Sequence, residues 1–270
     1  MNRQERLATL VELVVDRGSI RVEDVVAELD VSAATVRRDL DALAEQQLIT
    51  RTRGGASANT TTGELPLRYR AVTRPRQKAN IASAAAQLVT PGEVIGFNGG
   101  TTTTLAAYEI GVRVSAEDTF QDDGITLVTN AINIANDLIV RPRIRVVVTG
   151  GVVRQRSYEL IGPLSSLVLP SISVDTLFLG INGLDLATGI YANHDGEAEV
   201  NAALVGAAER VIVLADSSKL GHTAFARIAP LSAVAAVITD RDVNPAHVRA
   251  LTAQGIEVIQ TGDQPFKEPS

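Results

Sequence analysis

The 270-residue chain contains no cysteine and no tryptophan, and its histidines are His194, His222 and His247. The lack of cysteine excludes disulfides, a thiolate nucleophile and cysteine-based zinc sites. The three histidines are not spaced as metal ligands are. We therefore expect neither a metal nor a cofactor.

Long apolar runs are also missing. No run approaches the roughly 18 residues that a membrane-spanning helix needs, and the apolar stretch from Leu7 to Val15 is interrupted by Glu12. With 45% hydrophobic and 21% charged residues, the composition is that of a folded globular protein. We expect a soluble cytoplasmic protein with no membrane partner, built from about two domains.

The net charge of −6 is unevenly distributed. Residues 51–78 carry seven basic side chains and one acidic one, whereas the sequence on either side of them is acidic in balance. These arginines lie among Gly, Ser, Asn, Thr and Pro, which predicts a linker over residues 58–76. One interpretation is a solvated linker. The preceding sequence favours contact with nucleic-acid phosphates instead.

The first module shows three helical patterns. Apolar residues recur on one helical face at Leu7, Leu10, Val11 and Val14, at Val22, Val25, Val26 and Leu29, and at Val36, Leu40 and Leu43. Gly18 is expected to end the first helix and Ser32 to cap the third. Two short helices joined by a tight turn form a helix-turn-helix, whose second helix places its first residues at base edges in the major groove.

The start of the third helix therefore supplies the candidate DNA contacts. Ala33 permits close approach, Thr35 can meet a base or a phosphate, and arginine forks match guanine or phosphate. The candidates on this helix are Ser32, Ala33, Thr35, Arg37 and Arg38. The alternative for both arginines is a surface ion pair with Asp39, Asp41 or Glu45, a kind of contact that contributes little stability.

A strand-like alternation follows the third helix. It runs from Leu48 to Arg53 and ends at Gly54-Gly55, which predicts the hairpin of a winged helix. The hairpin is expected to place Arg51 and Arg53 beside the groove.

These motifs resemble the winged helix of the DeoR family of bacterial transcriptional regulators. The resemblance rests on Arg3 to Leu7, Ser32 to Leu40 and Thr50 to Ala56, and it covers the module predicted over residues 1–57. Gln47 stands where a glycine commonly enters the wing, and Arg53 where a histidine is frequent. The resemblance implies double-stranded operator DNA as the partner.

A larger α/β module is predicted over residues 77–262, followed by a loose tail over 263–270. Apolar strand-like runs alternate with helical patterns, which predicts a doubly wound parallel sheet. The expected strands are Val94 to Phe97, Ile125 to Thr129, Ile144 to Thr149, Thr176 to Ile181, Val211 to Ala215, Val234 to Thr239 and Ile256 to Ile259. Asn244-Pro245 predicts the start of a helix. Ligands of such sheets bind at the carboxyl ends of the strands.

The first of these strands is followed by a candidate anion cradle. Its residues are Asn98, Gly99, Gly100, Thr101, Thr102 and Thr103. Glycines expose backbone amides, a helix N-terminus adds positive potential, and threonine hydroxyls add donors, so a phosphate fits. The alternative is a plain turn. The pattern is neither a P-loop nor G-x-G-x-x-G.

Other strand ends carry charged residues. Asp185 follows the fourth strand, and Asp216 and Lys219 follow the fifth, where an acid and an ammonium can hold a polyol and its phosphate. The alternative for the latter two is a local ion pair that caps the turn. Glu197 leans towards the buried face of a helix, where an ionisable group needs a partner, or else it caps that helix.

The second module also resembles the DeoR family, in its effector domain. The resemblance rests on Lys78, Gly99 to Thr103, Thr149 to Gly151, Gly180 to Gly183, Glu197 and Asp216 to Lys219. It implies a fold similar to ribose-5-phosphate isomerase and the CoA transferases, and a phosphorylated sugar as effector. The implied pocket consists of Lys78, the threonine loop, Asp185, Glu197, Asp216 and Lys219, and Asn98 replaces a frequent aspartate. The segment from Tyr108 to Asp123 is longer than common and has no predicted role.

The leading hypothesis is a homo-oligomeric repressor, dimer or tetramer, that a sugar phosphate releases from DNA. The alternative is an isomerase in which Asp185, Glu197 and Lys219 act as acid, base and electrostatic stabiliser. An isomerase has no need of a DNA-binding module. A third hypothesis is that the larger module only dimerises.

Overall fold

The computed structural model of the chain describes residues 3–46, 48–58, 67–70 and 73–262. Three predicted features lie outside them: the turn at Gln47, most of the linker, and the tail. The chain divides between Thr73 and Arg74 into two compact units, called here the N-terminal unit and the C-terminal unit. The second begins before the predicted end of the linker because Pro75 occupies the first turn of a helix, where proline is favourable.

The N-terminal unit combines helices with a small antiparallel sheet of three strands. Its described elements are α1 (Arg3–Arg17), β1 (Ser19–Arg21), α2 (Val22–Leu29), α3 (Ala33–Glu45), β2 (Ile49–Thr52), β3 (Gly55–Ala58) and α4 (Leu67–Arg70). The three helices predicted from apolar spacing are confirmed as α1, α2 and α3. Their apolar faces meet in one core around Leu10, Val25 and Leu40, which are almost completely buried.

The predicted wing is confirmed as the hairpin of β2 and β3. Arg53 and Gly54 form its turn, where Gly54 has a φ of +86°, so β2 ends one residue before the predicted limit. The sequence did not predict β1, which pairs with β3. A Cβ atom at Gly55 would lie 1.9 Å from the carbonyl oxygen of Ile20, so glycine is required for this pairing.

The C-terminal unit alternates strands and helices. Its elements are α5 (Pro75–Ala86), β4 (Val94–Phe97), α6 (Thr101–Ala116), β5 (Ile125–Thr129), α7 (Ile132–Leu138), β6 (Ile144–Val148), β7 (Val152–Arg154), β8 (Glu159–Ile161), α8 (Pro163–Ser166), β9 (Val174–Gly180), β10 (Gly183–Asp185), β11 (Gly189–Ala192), α9 (Asp195–Ala207), β12 (Ala208–Leu214), β13 (Ala226–Ala229), β14 (Ala236–Asp240), α10 (Pro245–Ala253) and β15 (Glu257–Thr261). Asn244 caps α10 as expected, accepting a hydrogen bond from the Ala246 amide.

All seven predicted strands lie in one parallel sheet, in the order β15-β14-β12-β9-β4-β5-β6. Each face of the sheet has its own apolar core. On β9, for example, Leu177 and Leu179 belong to one core, while Phe178 belongs to the other and stacks on Phe97 with ring centroids 5.1 Å apart. This alternation confirms the predicted doubly wound fold, since only a sheet covered on both faces buries both sets of side chains.

The strand order changes direction between β4 and β9. From β4 the chain proceeds through β5 to β6 on one side, and from β9 through β12 and β14 to β15 on the other. Such a switch point opens a crevice at the carboxyl ends of the two strands, and ligands of open α/β sheets bind there.

Five short strands described in the C-terminal unit were not predicted. A hairpin of β7 and β8 follows β6, and a three-stranded antiparallel sheet has the order β10-β11-β13. Each has only three or four residues, which is too short for a recognisable alternation.

The segment from Tyr108 to Asp123 forms the second half of α6 and a short 3₁₀ turn. Arg113 donates hydrogen bonds to the carbonyl oxygens of Ala86 (2.6 Å) and Val89 (2.9 Å), and its guanidinium lies 5.3 Å from the centre of the Phe120 ring. The segment therefore fastens α6 to the end of α5. No helix in the described ranges is long and apolar enough to cross a membrane.

Candidate functional site

The first turn of α3 is organised by Ser32. Its Oγ accepts a hydrogen bond from the Thr35 amide (3.1 Å) and lies 2.9 Å from the Thr35 Oγ1 atom, which confirms the predicted cap. An N-cap of this kind typically stabilises by about 1 kcal/mol. Ala33 is half-buried against the core of the N-terminal unit, so its small side chain serves packing there.

Arg37 and Arg38 are exposed on α3, and neither forms an ion pair with a described residue. Two of the three predicted alternative partners are engaged elsewhere. Asp39 accepts a hydrogen bond from the Arg6 Nε atom at 2.5 Å, which raises the pKa of Arg6, and Asp41 pairs with Arg51. The surface ion-pair alternative is therefore not what the structure shows, and both guanidinium groups face solvent.

The two wing arginines differ. Arg51, predicted to lie beside the groove, donates to Asp41 Oδ1 (2.8 Å) and to the carbonyl oxygen of Gly55, so it fastens the wing to α3. Arg53 lies in the exposed turn at the tip of the wing, with no ion pair to any described carboxylate. The structure thus gives Arg51 a supporting contact that the sequence did not predict.

At the switch point, Asn98 ties the ends of β4 and β9 together. Its Nδ2 donates to the carbonyl oxygen of Gly180 (2.9 Å), and its Oδ1 accepts from the Gly180 amide (2.8 Å). Because the side chain is buried and both of its polar atoms are engaged, Asn98 shapes the crevice rather than presenting an amide to a ligand.

An internal carboxylate occupies one amide of the predicted cradle. The Gly99 amide donates to Glu159 Oε1 at 2.9 Å, and a Cβ atom on Gly99 would lie 2.3 Å from Glu159 Cγ. Glu159 itself is 2% exposed and lies on β8. Sequence reasoning missed this residue, because nothing local distinguishes it from a surface glutamate.

The threonines of the loop fall into two groups. The hydroxyls of Thr103 and Thr104 donate to the carbonyl oxygen of Gly100, at 3.1 and 2.6 Å. Those of Thr101 and Thr102 make no hydrogen bond to a described residue. The first amides of α6 lack intrahelical partners, as at any helix start. Donors for an anion thus remain at Thr101 and Thr102, beyond the glycine that Glu159 engages.

The end of β12 carries a tight polar turn. Asp216 is buried and accepts hydrogen bonds from the Ser218 amide (3.1 Å) and hydroxyl (2.5 Å), and Asp240 accepts from the Ser217 amide (2.7 Å). Lys219 is half-buried and forms no ion pair with a described residue. The alternative of a local pair between Asp216 and Lys219 is therefore not observed, and the ammonium remains available.

Glu197 has a distant partner. Its Oε1 accepts a hydrogen bond from Arg154 Nη1 at 3.0 Å, and the two side chains are 5% and 14% exposed. The cap of α9 is His194, whose Nδ1 accepts from the Gly196 amide (3.1 Å). Of the two expectations for Glu197, the buried partnered residue is correct. The sequence did not indicate Arg154.

The remaining two site candidates lie on different elements. Lys78 is 5% exposed on α5. Asp185 accepts hydrogen bonds from the Thr188 hydroxyl (2.6 Å) and from two amides of its own hairpin turn, which lower the pKa of Asp185. The Gly221 amide donates to the carbonyl oxygen of Leu184 (2.8 Å), so the hairpin that carries Asp185 lies next to the turn that carries Lys219.

The chain carries a winged helix with exposed arginines that have no described ion pair. The same chain carries a doubly wound unit with polar groups at its switch point. Together these features define a DNA-binding regulator with a ligand-sensing domain. Family models give the particular family. Residues 6–62 match the DeoR-like helix-turn-helix domain, and residues 73–241 match the DeoR C terminal sensor domain. The chain belongs to the DeoR family.

Relatives match along almost the whole chain. The HTH-type transcriptional repressor GlcR of Bacillus subtilis is 32% identical over 99% of this chain and 100% of its own. The glycerol-3-phosphate regulon repressor of Escherichia coli K12 is 29% identical over 96% of this chain and 99% of its own. The solved structure of ribose 5-phosphate isomerase A from Methanocaldococcus jannaschii is 22% identical over 53% of each chain, with a TM-score of 0.39. The predicted family and function class are confirmed: the chain is a transcriptional regulator and not the alternative isomerase.

Proposed function

We propose that this regulator represses genes of carbohydrate metabolism and leaves its operator when a phosphorylated sugar binds the C-terminal unit. One observation carries the proposal. Unengaged donors at Thr101 and Thr102 lie at the switch point of the sheet, and the unpaired Lys219 lies at the end of β12, which is next to β9 in the sheet.

In this proposal the phosphate binds the first amides of α6, the hydroxyls of Thr101 and Thr102, and Lys219. Gly100 admits the ligand to the backbone, while Asn98, Thr103 and the amide of Gly99 are held by internal hydrogen bonds. Sugar hydroxyls are then read by acceptors around the crevice. The candidates are Asp185, Glu197 and Asp216, with Lys78 as a further cation.

DNA contact is proposed for the start of α3 and the tip of the wing. Arg37, Arg38 and Arg53 supply the cationic groups, since their guanidinium groups have no partner among the described residues. Ser32, Ala33 and Thr35 lie where a recognition helix meets base edges. Arg51 acts mainly through the wing that it supports.

Repression and release require two arrangements with different affinity for the sugar phosphate, since equal binding shifts nothing. We propose a homo-oligomer, dimer or tetramer, in the cytoplasm, whose paired winged helices bind repeated half-sites. Two relatives are named as repressors, one of them of the glycerol-3-phosphate regulon.

A thermal-shift screen tests the effector half. Glycerol 3-phosphate, phosphorylated hexoses and phosphorylated amino sugars are compared with their unphosphorylated forms. A phosphorylated compound should raise the melting temperature, and the double variant Thr101→Val/Lys219→Met should abolish that rise. Arg227→Ala is the control, because this exposed arginine lies on β13 and has no described ion pair. If no phosphorylated compound shifts the wild type, the proposal fails.

The same compound should release the protein from a duplex that it has selected from random DNA, measured by fluorescence anisotropy. Binding without release would contradict the regulatory half of the proposal. A C-terminal unit that only dimerises would show neither a thermal shift nor release.

A further inference from the structure

Arg74 is the first residue of the C-terminal unit and lies near the end of the predicted linker. Its backbone has a φ of +52°, a left-handed conformation that is uncommon for residues other than glycine. Its guanidinium reaches across 143 positions of sequence to donate to Ser217 Oγ (3.2 Å), and its Nε lies 3.9 Å from Asp216 Oδ1. Unfavourable backbone conformations persist where surrounding contacts enforce them, often at functional sites.

The contact places the Arg74 guanidinium beside the buried carboxylate of Asp216. The Asp216 side chain is 4% exposed, and its other described donors are the neutral amide and hydroxyl of Ser218. A buried carboxylate needs compensation. Arg74 is the one described cation in ion-pair range of it, although Lys219 is only three residues away along the chain.

We propose that Arg74 is a positioning residue of the effector site, and this inference rests on the proposed function. By compensating Asp216, Arg74 leaves the Lys219 ammonium to the phosphate of the ligand. Without the guanidinium, the buried carboxylate attracts Lys219 into the local ion pair that is absent from the structure, and the phosphate loses its cation.

Arg74 also begins the helix that follows the linker. Its carbonyl oxygen accepts the hydrogen bond of the Lys78 amide (3.2 Å) in the first turn of α5, so the residue that contacts Asp216 also begins this helix. A ligand that contacts Asp216 or Lys219 therefore changes the contacts of Arg74, the first residue of the C-terminal unit.

The test compares Arg74→Ala and Arg74→Lys with wild type, with Arg249→Ala as the control because this arginine is exposed on α10 and has no described ion pair. Calorimetry measures binding of inorganic phosphate and glucose 6-phosphate. Arg74→Ala should weaken the binding of both ligands by about tenfold, which is the range expected for one charged contact. Arg74→Lys should recover part of this loss. Arg249→Ala should bind both ligands as wild type does. At saturating ligand, Arg74→Ala should also release less of the selected duplex than wild type does, which a merely structural role would not produce.

A ligand-free double-mutant cycle keeps the test independent of the effector. Arg74→Ala should lower the melting temperature more in the wild-type background than in Asp216→Asn, where the compensated charge is gone. Equal effects in both backgrounds, or wild-type phosphate affinity in Arg74→Ala, would overturn the role of Arg74. Failure of the wild type to bind any phosphorylated compound would instead overturn the proposed function, and with it this inference.

Discussion

The two units hold their charged residues in opposite ways. On α3 and at the wing tip, Arg37, Arg38 and Arg53 are exposed and have no described partner. Around the crevice of the C-terminal unit, Glu197 and Asp216 are buried, and each lies within ion-pair range of an arginine. One set of charges is left in water, whereas the other has already been desolvated.

The difference follows from what each surface meets. DNA brings its own phosphates and releases counterions, so unpaired exposed arginines gain their partners on binding. A small ligand offers few contacts, so its site has to be arranged before it arrives, and buried charges stay in place only when they are compensated. Exposed arginines should therefore affect binding without affecting stability, and buried ones should affect both.

The largest expected effect comes from breaking the buried pair of Arg154 and Glu197. Arg154→Ala leaves a carboxylate that is 5% exposed without this guanidinium, and removing one member of such a pair costs about 3–5 kcal/mol. Chemical denaturation measures the loss, with Arg227→Ala as the exposed control, for which we expect less than about 0.5 kcal/mol. Equal losses in the two variants would remove the contrast between buried and exposed arginines.

The sequence predicted local features and missed distant pairs. All seven strands of the large sheet and the three helices of the winged helix follow from apolar spacing, and the Ser32 cap follows from residue type. The pair of Arg154 and Glu197 spans 43 positions, and the Gly99 contact with Glu159 spans 60. The predicted burial of Glu197 indicates that the side chain needs a partner. Only the folded structure shows that this partner is Arg154.

The next largest effect is on DNA affinity. Replacing both Arg37 and Arg38 with Ala should cost about 1–3 kcal/mol for each arginine that contacts a base, and should reduce the salt slope by about 1 for each that contacts a phosphate. Anisotropy with the selected duplex over a range of salt measures both. The melting temperature should not change, since both side chains are exposed.

The matched control is Arg227→Ala/Arg249→Ala, which removes two exposed charges from the C-terminal unit. If this control weakened binding as much as the α3 variant, the effect would come from net charge and not from the recognition helix.

The wing allows the same contrast within one hairpin. Arg51→Ala should lower the free energy of unfolding by about 1 kcal/mol, because it loses its bonds to Asp41 and Gly55. Arg53→Ala should leave stability unchanged and reduce the salt slope by about 1. Denaturation and salt-dependent anisotropy on both variants give four values. The reverse pattern, with Arg53 stabilising and Arg51 contacting DNA, would refute the assignment of the two roles.

The smallest expected effect concerns the half-buried carboxylate of Asp185, whose described hydrogen bonds all come from its own turn. The Thr188 hydroxyl is the largest cause that lowers the pKa of Asp185 in the folded chain. A lowered pKa means that the contact stabilises the fold above the unfolded value, near 3.9, and that this stabilisation is lost as the pH falls through the folded value. The melting temperature of Thr188→Val should therefore be slightly lower than that of wild type at pH 7, and the two should be equal at strongly acidic pH. For the exposed control Thr223→Val, the difference from wild type should not depend on pH in this way. A difference that persisted at acidic pH would mean that Thr188 acts through packing and not through the carboxylate.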